Sequence, residues 1–324
     1  MNDPFGRNID YLRISITDRC NERCLYCMPE GYKGWAQKPD HMTADEIVRA
    51  VETAAGLGFR KFRLTGGEPL IRHDIVEIAE RVWNLPGVET LGLSTNGTRL
   101  AALAEPLKRA GVRSINVSLD ALDPVLYHSI TGGEVASVLG GLAAARTAGF
   151  ERIKLNTVLL KGRNETEYAP LVEYAAKHGH PLRFIELMPL SREEGWTEAS
   201  FLPIAGVVGL LGGRTAFEAA PETRLGHGPA AYHRHLPSGA VVGFIGALTK
   251  IDFCASCNKL RLTADGKLRP CLGRHGEVDL LPALRSGTAV DVRNKFLECL
   301  AGKPEDHLFN ADYQPQRPMI AIGG

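Results

Sequence analysis

Six stretches of the chain alternate apolar and polar side chains with the period of two that a strand requires: 11–17 (YLRISIT), 61–65 (KFRLT), 88–95 (VETLGLST), 112–119 (VRSINVSL), 152–160 (RIKLNTVLL) and 181–187 (PLRFIEL). Between them apolar residues return every three or four positions near 43–57, 73–84, 99–110, 135–148 and 164–179, as on one face of a helix. The first of these opens on Thr43 with Glu46 three residues later, a capping box. Strand then helix, repeated along the first 187 residues, predicts an α/β fold on a parallel sheet. Spacing alone leaves an open doubly wound sheet and a partial barrel as alternatives.

Strand parity separates them. Leu12, Ile14 and Ile16 share a face with Phe62 and Leu64, Leu91 and Leu93, Ile115, Val117 and Leu119, Ile153 and Leu155, and Leu182 and Phe184. That face belongs beneath the helices. The other face carries Arg13, Ser15, Thr17, Lys61, Arg63, Thr65, Ser94, Asn96, Asn116, Ser118, Asp120, Lys154, Asn156 and Arg183, five of them cations. A closed eight-stranded barrel fills its interior with bulky apolar layers, which this set cannot form. The expectation is an incomplete (βα)6 TIM-type barrel whose lumen holds a charged ligand. A sheet with one solvated face is the alternative, disfavoured for parallel strands.

Beyond 187 the rhythm stops. A helix is expected at 202–213, a connector containing Pro and Gly at 218–231, and hairpins at 231–246 and 260–272, the second turning at Asp265-Gly266. Helices near 278–285 and 288–301 follow, then a tail ending PMIAIGG. The chain thus divides into a partial barrel, 1–217, and a C-terminal α+β region, 218–324.

Composition narrows the chemistry. With 324 residues, 44% hydrophobic and 23% charged, the chain can bury a large core. A net charge of +1 and a pI near 7.7 give no global field for nucleic acid or an anionic membrane, so neither is an expected partner and any basic site must be local. There is no apolar signal core and no apolar run of membrane-spanning length, which makes the cytoplasm the expected compartment. Six of the seven cysteines lie in two tight triplets, a pattern of metal chemistry in a reducing compartment rather than of disulfides. Cys299, on a helical stretch, reads as a small buried hydrophobe.

Cys20, Cys24 and Cys27 follow C-x3-C-x2-C just past the first strand, the end at which parallel α/β proteins build active sites. A structural zinc site wants a fourth thiolate or imidazole, and none is near in sequence. A cubane [4Fe–4S] cluster held by three cysteines keeps one iron open for a substrate or cofactor. In this spacing, with Tyr26 before the last cysteine, the chain resembles the radical S-adenosylmethionine (radical SAM) superfamily. The resemblance implies that the open iron chelates S-adenosylmethionine and that the cluster's electron cleaves it to methionine and a 5′-deoxyadenosyl radical. It implies cofactor contacts at Tyr26, at Gly66, Gly67 and Glu68 in TGGEP (65–69), at Ser118 in VSLD (117–120), and at Met188. Paired glycines allow close backbone approach, although such a turn alone is more often a strand-to-helix connection. Met188 falls by parity opposite Arg183, so its contact requires the strand to bend or end before it.

Cys254, Cys257 and Cys271 follow C-x2-C-x13-C. His275, four residues on, would complete a Cys3His zinc site, and within this segment zinc and a second open-iron cluster stand as equals. The wider pattern, with two triplets, the run CNKLRLTADGKLRPCL and a terminal Gly323-Gly324, is similar to the GTP 3′,8-cyclases of molybdenum cofactor biosynthesis, over about 13–324. That resemblance implies a second [4Fe–4S] cluster on Cys254, Cys257 and Cys271 with guanine on its open iron. It implies GTP contacts at Arg13, Lys61, Arg63, Ser94, Lys154, Arg183, Lys259 and Arg261. A triphosphate needs such a basic cavity. The family has arginine where Lys259 stands; lysine keeps the charge and loses bidentate geometry. Gly323 and Gly324, with Arg261, are the implied catalytic elements, the tail entering the cavity where only glycine is slim enough. A carrier-type Gly-Gly terminus is the rival, unsupported by an α/β chain of this size.

The implied reaction abstracts the 3′ hydrogen of GTP, joins C3′ to C8 and yields 3′,8-cyclo-7,8-dihydro-GTP. Its implied partners are an electron donor and cyclic pyranopterin monophosphate synthase, with a homodimer among the open assembly states. Two alternatives remain: a peptide-modifying radical SAM enzyme with an auxiliary cluster, which has no need of lumenal cations, and a non-catalytic zinc or iron–sulfur module.

Overall fold

The computed structural model describes residues 1–28, 41–190, 198–220, 225, 228–250, 252–311 and 313–323. The six alternating stretches form β1 (Tyr11–Ser15), β2 (Lys61–Thr65), β3 (Thr90–Thr95), β4 (Ser114–Ser118), β5 (Arg152–Leu159) and β6 (Leu182–Glu186). Each is parallel to the next. The register keeps like beside like: Arg13 pairs with Arg63, Asn116 with Lys154 and Asn156 with Arg183.

Helices cover the apolar face: α1 (Ala44–Gly56), α2 (Ile75–Trp83), α3 (Leu100–Arg109), α4 (Pro124–Thr131), α5 (Val135–Thr147) and α6 (Tyr168–His178). Leu12, Ile14, Phe62, Leu64, Leu91, Leu93 and Phe184 are all buried and share one core with Ile47 and Val51 of α1 and Ile78 and Val82 of α2. Each such side chain contributes ~1.5–3 kcal/mol on burial. The capping box of α1 is closed at both ends, with Glu46 N–H donating to Thr43 Oγ1 (3.2 Å) and Thr43 N–H to Glu46 Oε2 (2.8 Å).

The sequence pattern did not reveal α4. Its apolar positions follow no strong helical face, yet its ends are marked: Asp123 accepts from Leu126 N–H at 2.8 Å, Pro124 opens the first turn, and Gly132 closes the helix at φ 68°.

The expected C-terminal hairpins exist as β8 (Ala231–His235) with β9 (Val241–Ile245), and β10 (Lys259–Leu262) with β11 (Lys267–Arg269). They do not stand apart. β10 pairs in parallel with β1 and β9 with β6, and the flanking β7 (Phe217–Ala219) and β12 (Val278–Asp279) complete one twelve-stranded sheet, ordered β12-β11-β10-β1-β2-β3-β4-β5-β6-β9-β8-β7. The barrel edges, which would otherwise leave rows of N–H and C=O groups unpaired, are thus extended by the C-terminal residues. The expected boundary after 217 falls inside β7. Part of the expected connector, 221–224 and 226–227, lies outside the described residues.

Further α-helices among the described residues are α7 (Ile204–Leu210), α8 (Leu281–Ser286), α9 (Ala289–Ala301) and α10 (Met319–Ile322), the last inside the expected tail. Among the described residues, no helix is long and apolar enough to cross a membrane.

Candidate active site

The lumen encloses a cavity of about 400 Å³ whose wall includes all six triplet cysteines. Cys20, Cys24 and Cys27 follow the carboxyl end of β1. Cys257 precedes β10 and Cys271 follows β11; because β10 runs parallel to β1 with Lys259 opposite Tyr11, the second triplet lies at the amino end of the same strands. The five residues of β1, roughly 15 Å of strand, separate the two rims.

The first triplet is moulded by α4. Arg23 and Leu25 N–H donate to the carbonyls of Thr131 (2.7 Å) and Ile130 (3.0 Å), and Cys27 N–H closes a turn on the Cys24 carbonyl (3.0 Å). Glu22, 3% exposed, accepts from Tyr127 OH at 2.9 Å, and burial pushes its carboxyl up to about 7. Tyr26 OH donates to Asp120 Oδ2 at 2.7 Å. Burial pushes the Cys20 thiol up to about 11 and Cys27 to about 12. Such thiols keep their protons until a metal displaces them.

Gly66 and Gly67 line the cavity, but their missing side chains serve the neighbouring loop. A Cβ on Gly66 would collide with the Thr17 carbonyl, and one on Gly67 with that of Arg19. Gly67 and Glu68 N–H instead donate to those carbonyls at 2.8 and 2.7 Å, fixing the approach to Cys20. Glu68 is not on the cavity wall: its carboxylate accepts from Leu70 N–H (2.9 Å), Thr95 Oγ1 (2.7 Å) and Asn96 N–H (2.6 Å). These bonds make Glu68 a brace between the TGGEP and STNG loops. Tyr26, Ser94, Ser118 and Met188 are at the wall, Met188 because β6 ends at Glu186.

Of the expected cations, Arg13, Arg63, Lys154, Arg183, Lys259 and Arg261 line the cavity. Lys61 does not; its Nζ is bound by Asp10 at 2.6 Å, at the amino rim beside Tyr11. Arg63 lies across Gly92, where a Cβ would meet its guanidinium, and donates to Tyr11 OH and the Leu93 carbonyl, both at 2.6 Å. Lys154, 4% exposed, donates to the Leu225 carbonyl. Burial, reinforced by Arg183, Arg63 and Arg152, pushes its ammonium down to about 6.

Sequence reasoning missed Arg152, which shares parity with Lys154 and lines the same wall. Extending the alternation one step back along β5 finds it. It also missed Tyr11, by the same rule, and the aromatic cover of the second triplet, where Phe253, His307 and Phe309 line the cavity and pack in sequence at 5.8 and 4.6 Å. Phe253 directly precedes Cys254 and could have been read there, whereas His307 and Phe309 come from a distant segment with no local signal.

His275 stacks on Tyr313 (4.9 Å, 13°) and is not on the cavity wall. The three cysteines line the cavity without it, and three thiolates are a ligand set for a cluster with one open iron.

The tail reaches the lumen. Ile320 N–H bonds to Cys27, and Gly323 O accepts from Arg261 Nη1 at 3.0 Å. Gly323 has φ 75°, and a Cβ there would press on Ser15 and Thr65 at 3.0 and 3.2 Å. Arg317, just before α10, donates to both carboxylate oxygens of Asp265 (3.0 and 2.8 Å) and lies 3.0 Å from Glu277. Gly324 lies outside the described residues.

The wall fits a polar guest: its cations suit an anion, and the buried Oδ1 atoms of Asn116 and Asn156, which find no hydrogen-bond partner among the described residues, call for a donor, as buried polar groups ordinarily have a partner. Residues 14–175 match the Radical SAM superfamily and 180–309 the Molybdenum Cofactor Synthesis C family. The GTP 3′,8-cyclase of Pelotomaculum thermopropionicum is 40% identical over 100% of both chains. That of Streptomyces coelicolor is 42% identical over 99% of this chain and 96% of its own, and GTP 3′,8-cyclase 1 of Pseudomonas aeruginosa 42% over 99% and 98%. Streptococcus suis SuiB bound to S-adenosylmethionine shares the fold (TM-score 0.61, 16% identity, 97% of this chain and 77% of that one). With relatives of that identity spanning its whole length, the chain belongs to the GTP 3′,8-cyclase family of the radical SAM superfamily.

Proposed function

We propose that GTP binds between the two rims, its triphosphate among Arg13, Arg63, Lys154, Arg183, Lys259 and Arg261 and its base toward Cys254, Cys257 and Cys271, with S-adenosylmethionine at the rim of Cys20, Cys24 and Cys27. The reaction is the conversion of GTP to 3′,8-cyclo-7,8-dihydro-GTP, the first step of molybdenum cofactor biosynthesis, and the cofactors are two [4Fe–4S] clusters and S-adenosylmethionine. One observation carries the reading: two three-thiol sites face one cavity across a belt of cations. When bound, the first cluster with S-adenosylmethionine supplies the 5′-deoxyadenosyl radical that takes the 3′ hydrogen.

The chain's own work is orientation and shielding. Tyr26, Gly66, Gly67, Ser118 and Met188 border S-adenosylmethionine, Glu68 acting through the loop it braces. Ser94 and the cations fix the nucleotide, and Lys61 joins them by exchanging Asp10 for a phosphate oxygen. Phe253 and Phe309 exclude water at the second rim. Arg261 acts with Gly323 and Gly324, the tail narrowing the cavity around the reacting ribose. On this reading 1–217 supplies the radical side and 218–324 the second cluster and tail. An external electron donor serves the first cluster in a reducing cytoplasm, and the product passes to cyclic pyranopterin monophosphate synthase.

Anaerobic turnover with S-adenosylmethionine, a reductant and GTP deuterated at C3′ tests the reading. Deuterium in the 5′-deoxyadenosine is expected. Unlabelled 5′-deoxyadenosine formed equally fast without GTP would refute it.

A further inference from the structure

Lys303 follows the end of α9 and is 4% exposed. Its ammonium has three hydrogens and three acceptors: Cys257 Sγ (3.4 Å), the Lys259 carbonyl (2.9 Å) and the Pro270 carbonyl (2.6 Å). One contact reaches a ligand thiol, another the start of β10, and the third the residue before Cys271. The next two residues are held by Arg7, which donates to the Pro304 carbonyl (2.5 Å), the Glu305 carbonyl (2.6 Å) and the Cys254 carbonyl (3.1 Å). Lys303 and Arg7 between them therefore tie together all three cysteine-bearing pieces of the second triplet.

The charge is unusual for where it sits. A buried ammonium ordinarily pairs with a carboxylate, but the three acceptors of Lys303 are a sulfur and two neutral carbonyls. Among the described residues no carboxylate is bonded to it, so the counter-charge at hand is that of the thiolates and what they hold. A three-thiolate cluster is an anion whose charge grows on reduction, and its potential responds to nearby charge and to hydrogen bonds on its sulfurs.

We propose that Lys303 is a positioning residue of the second cluster, supplying both the fixed counter-charge and the N–H···S bond to Cys257 that raise its reduction potential. This rests on the assignment of that cluster to Cys254, Cys257 and Cys271. In the family's known chemistry that cluster holds the base; Lys303 adds how the protein sets its electronics.

The test uses the full chain with Cys20, Cys24 and Cys27 changed to Ala, so that only the second cluster is loaded. Its midpoint is read by redox titration followed by electron paramagnetic resonance, with and without Lys303→Met. A more negative midpoint at unchanged iron content is expected. An unmoved midpoint at full iron overturns the inference. If the Met variant retains no iron, melting of the iron-free chains decides: an unchanged or higher melting temperature supports a role toward the cluster, and a lower one marks an ordinary fold residue and overturns it. If the parent holds no iron at all, the cluster assignment itself falls, a failure distinct from that of Lys303.

Discussion

Lys154 holds its charge at a cost set by its surroundings. Its ammonium is pushed down to about 6 by burial beside Arg183, Arg63 and Arg152, whereas an unfolded lysine titrates near 10.4. Between those values the unfolded chain binds the extra proton, so the stability of the ligand-free protein rises with pH across that window. Melting temperatures should climb accordingly, and Lys154→Met should flatten the slope. A triphosphate reverses the preference, so GTP binding near neutral pH should draw a proton from the buffer; titration calorimetry in two buffers of different ionisation enthalpy reads this, and Lys154→Met should abolish it. Arg152→Ala should weaken GTP binding by about 10–100-fold, the scale of a charge-assisted bond worth ~1.5–3 kcal/mol. At this scale the site was largely legible, because alternation along a parallel strand assigns Arg13, Arg63, Lys154 and Arg183 to one wall. It does not show where a side chain has a nearer partner: Lys61 is held by Asp10, and Glu68 by the Asn96 backbone.

Elements divide by whether their signals are local. Strands β1–β6 announce themselves, since each buries one face and the pattern lies within a few residues, whereas the short β7 and β12 fall where a connector and a helix were expected. Helix α4 lacks a strong apolar stripe, and its importance comes from what it holds: Tyr127 satisfies buried Glu22 beside Cys24. Tyr127→Phe should cost about 1–3 kcal/mol by leaving that carboxylate short of a donor, measurable by denaturant unfolding of the iron-free chain. The tail likewise depends on a clasp that its own residues do not advertise. Arg317 grips Asp265 with two hydrogen bonds and lies beside Glu277. Arg317→Ala should speed amide exchange across 319–323 and lower turnover about tenfold, as losing ~1.4 kcal/mol would; unchanged exchange would show that the clasp does not hold the tail.

For the whole molecule, the pairing that matters most joins the two edges of the barrel to the C-terminal hairpins. Leu12 lies beside Leu260 in the sheet, and Phe184 beside Phe244. Both hairpins were legible as hairpins, but their partner strands were not, because nothing local in β10 names β1. A chain stopped after 217 should expose the free edges of β1 and β6 and sediment as aggregate. The same topology sets a timetable during synthesis. The ribosome releases β1 long before β10, a delay on the order of tens of seconds at ~5–20 residues per second. Throughout it Cys20, Cys24 and Cys27 belong to a nascent chain whose lumen has an unfinished wall. Iron delivered in that interval meets thiols open to solvent and oxidant; iron delivered afterwards has to enter a finished vessel already threaded by its own tail.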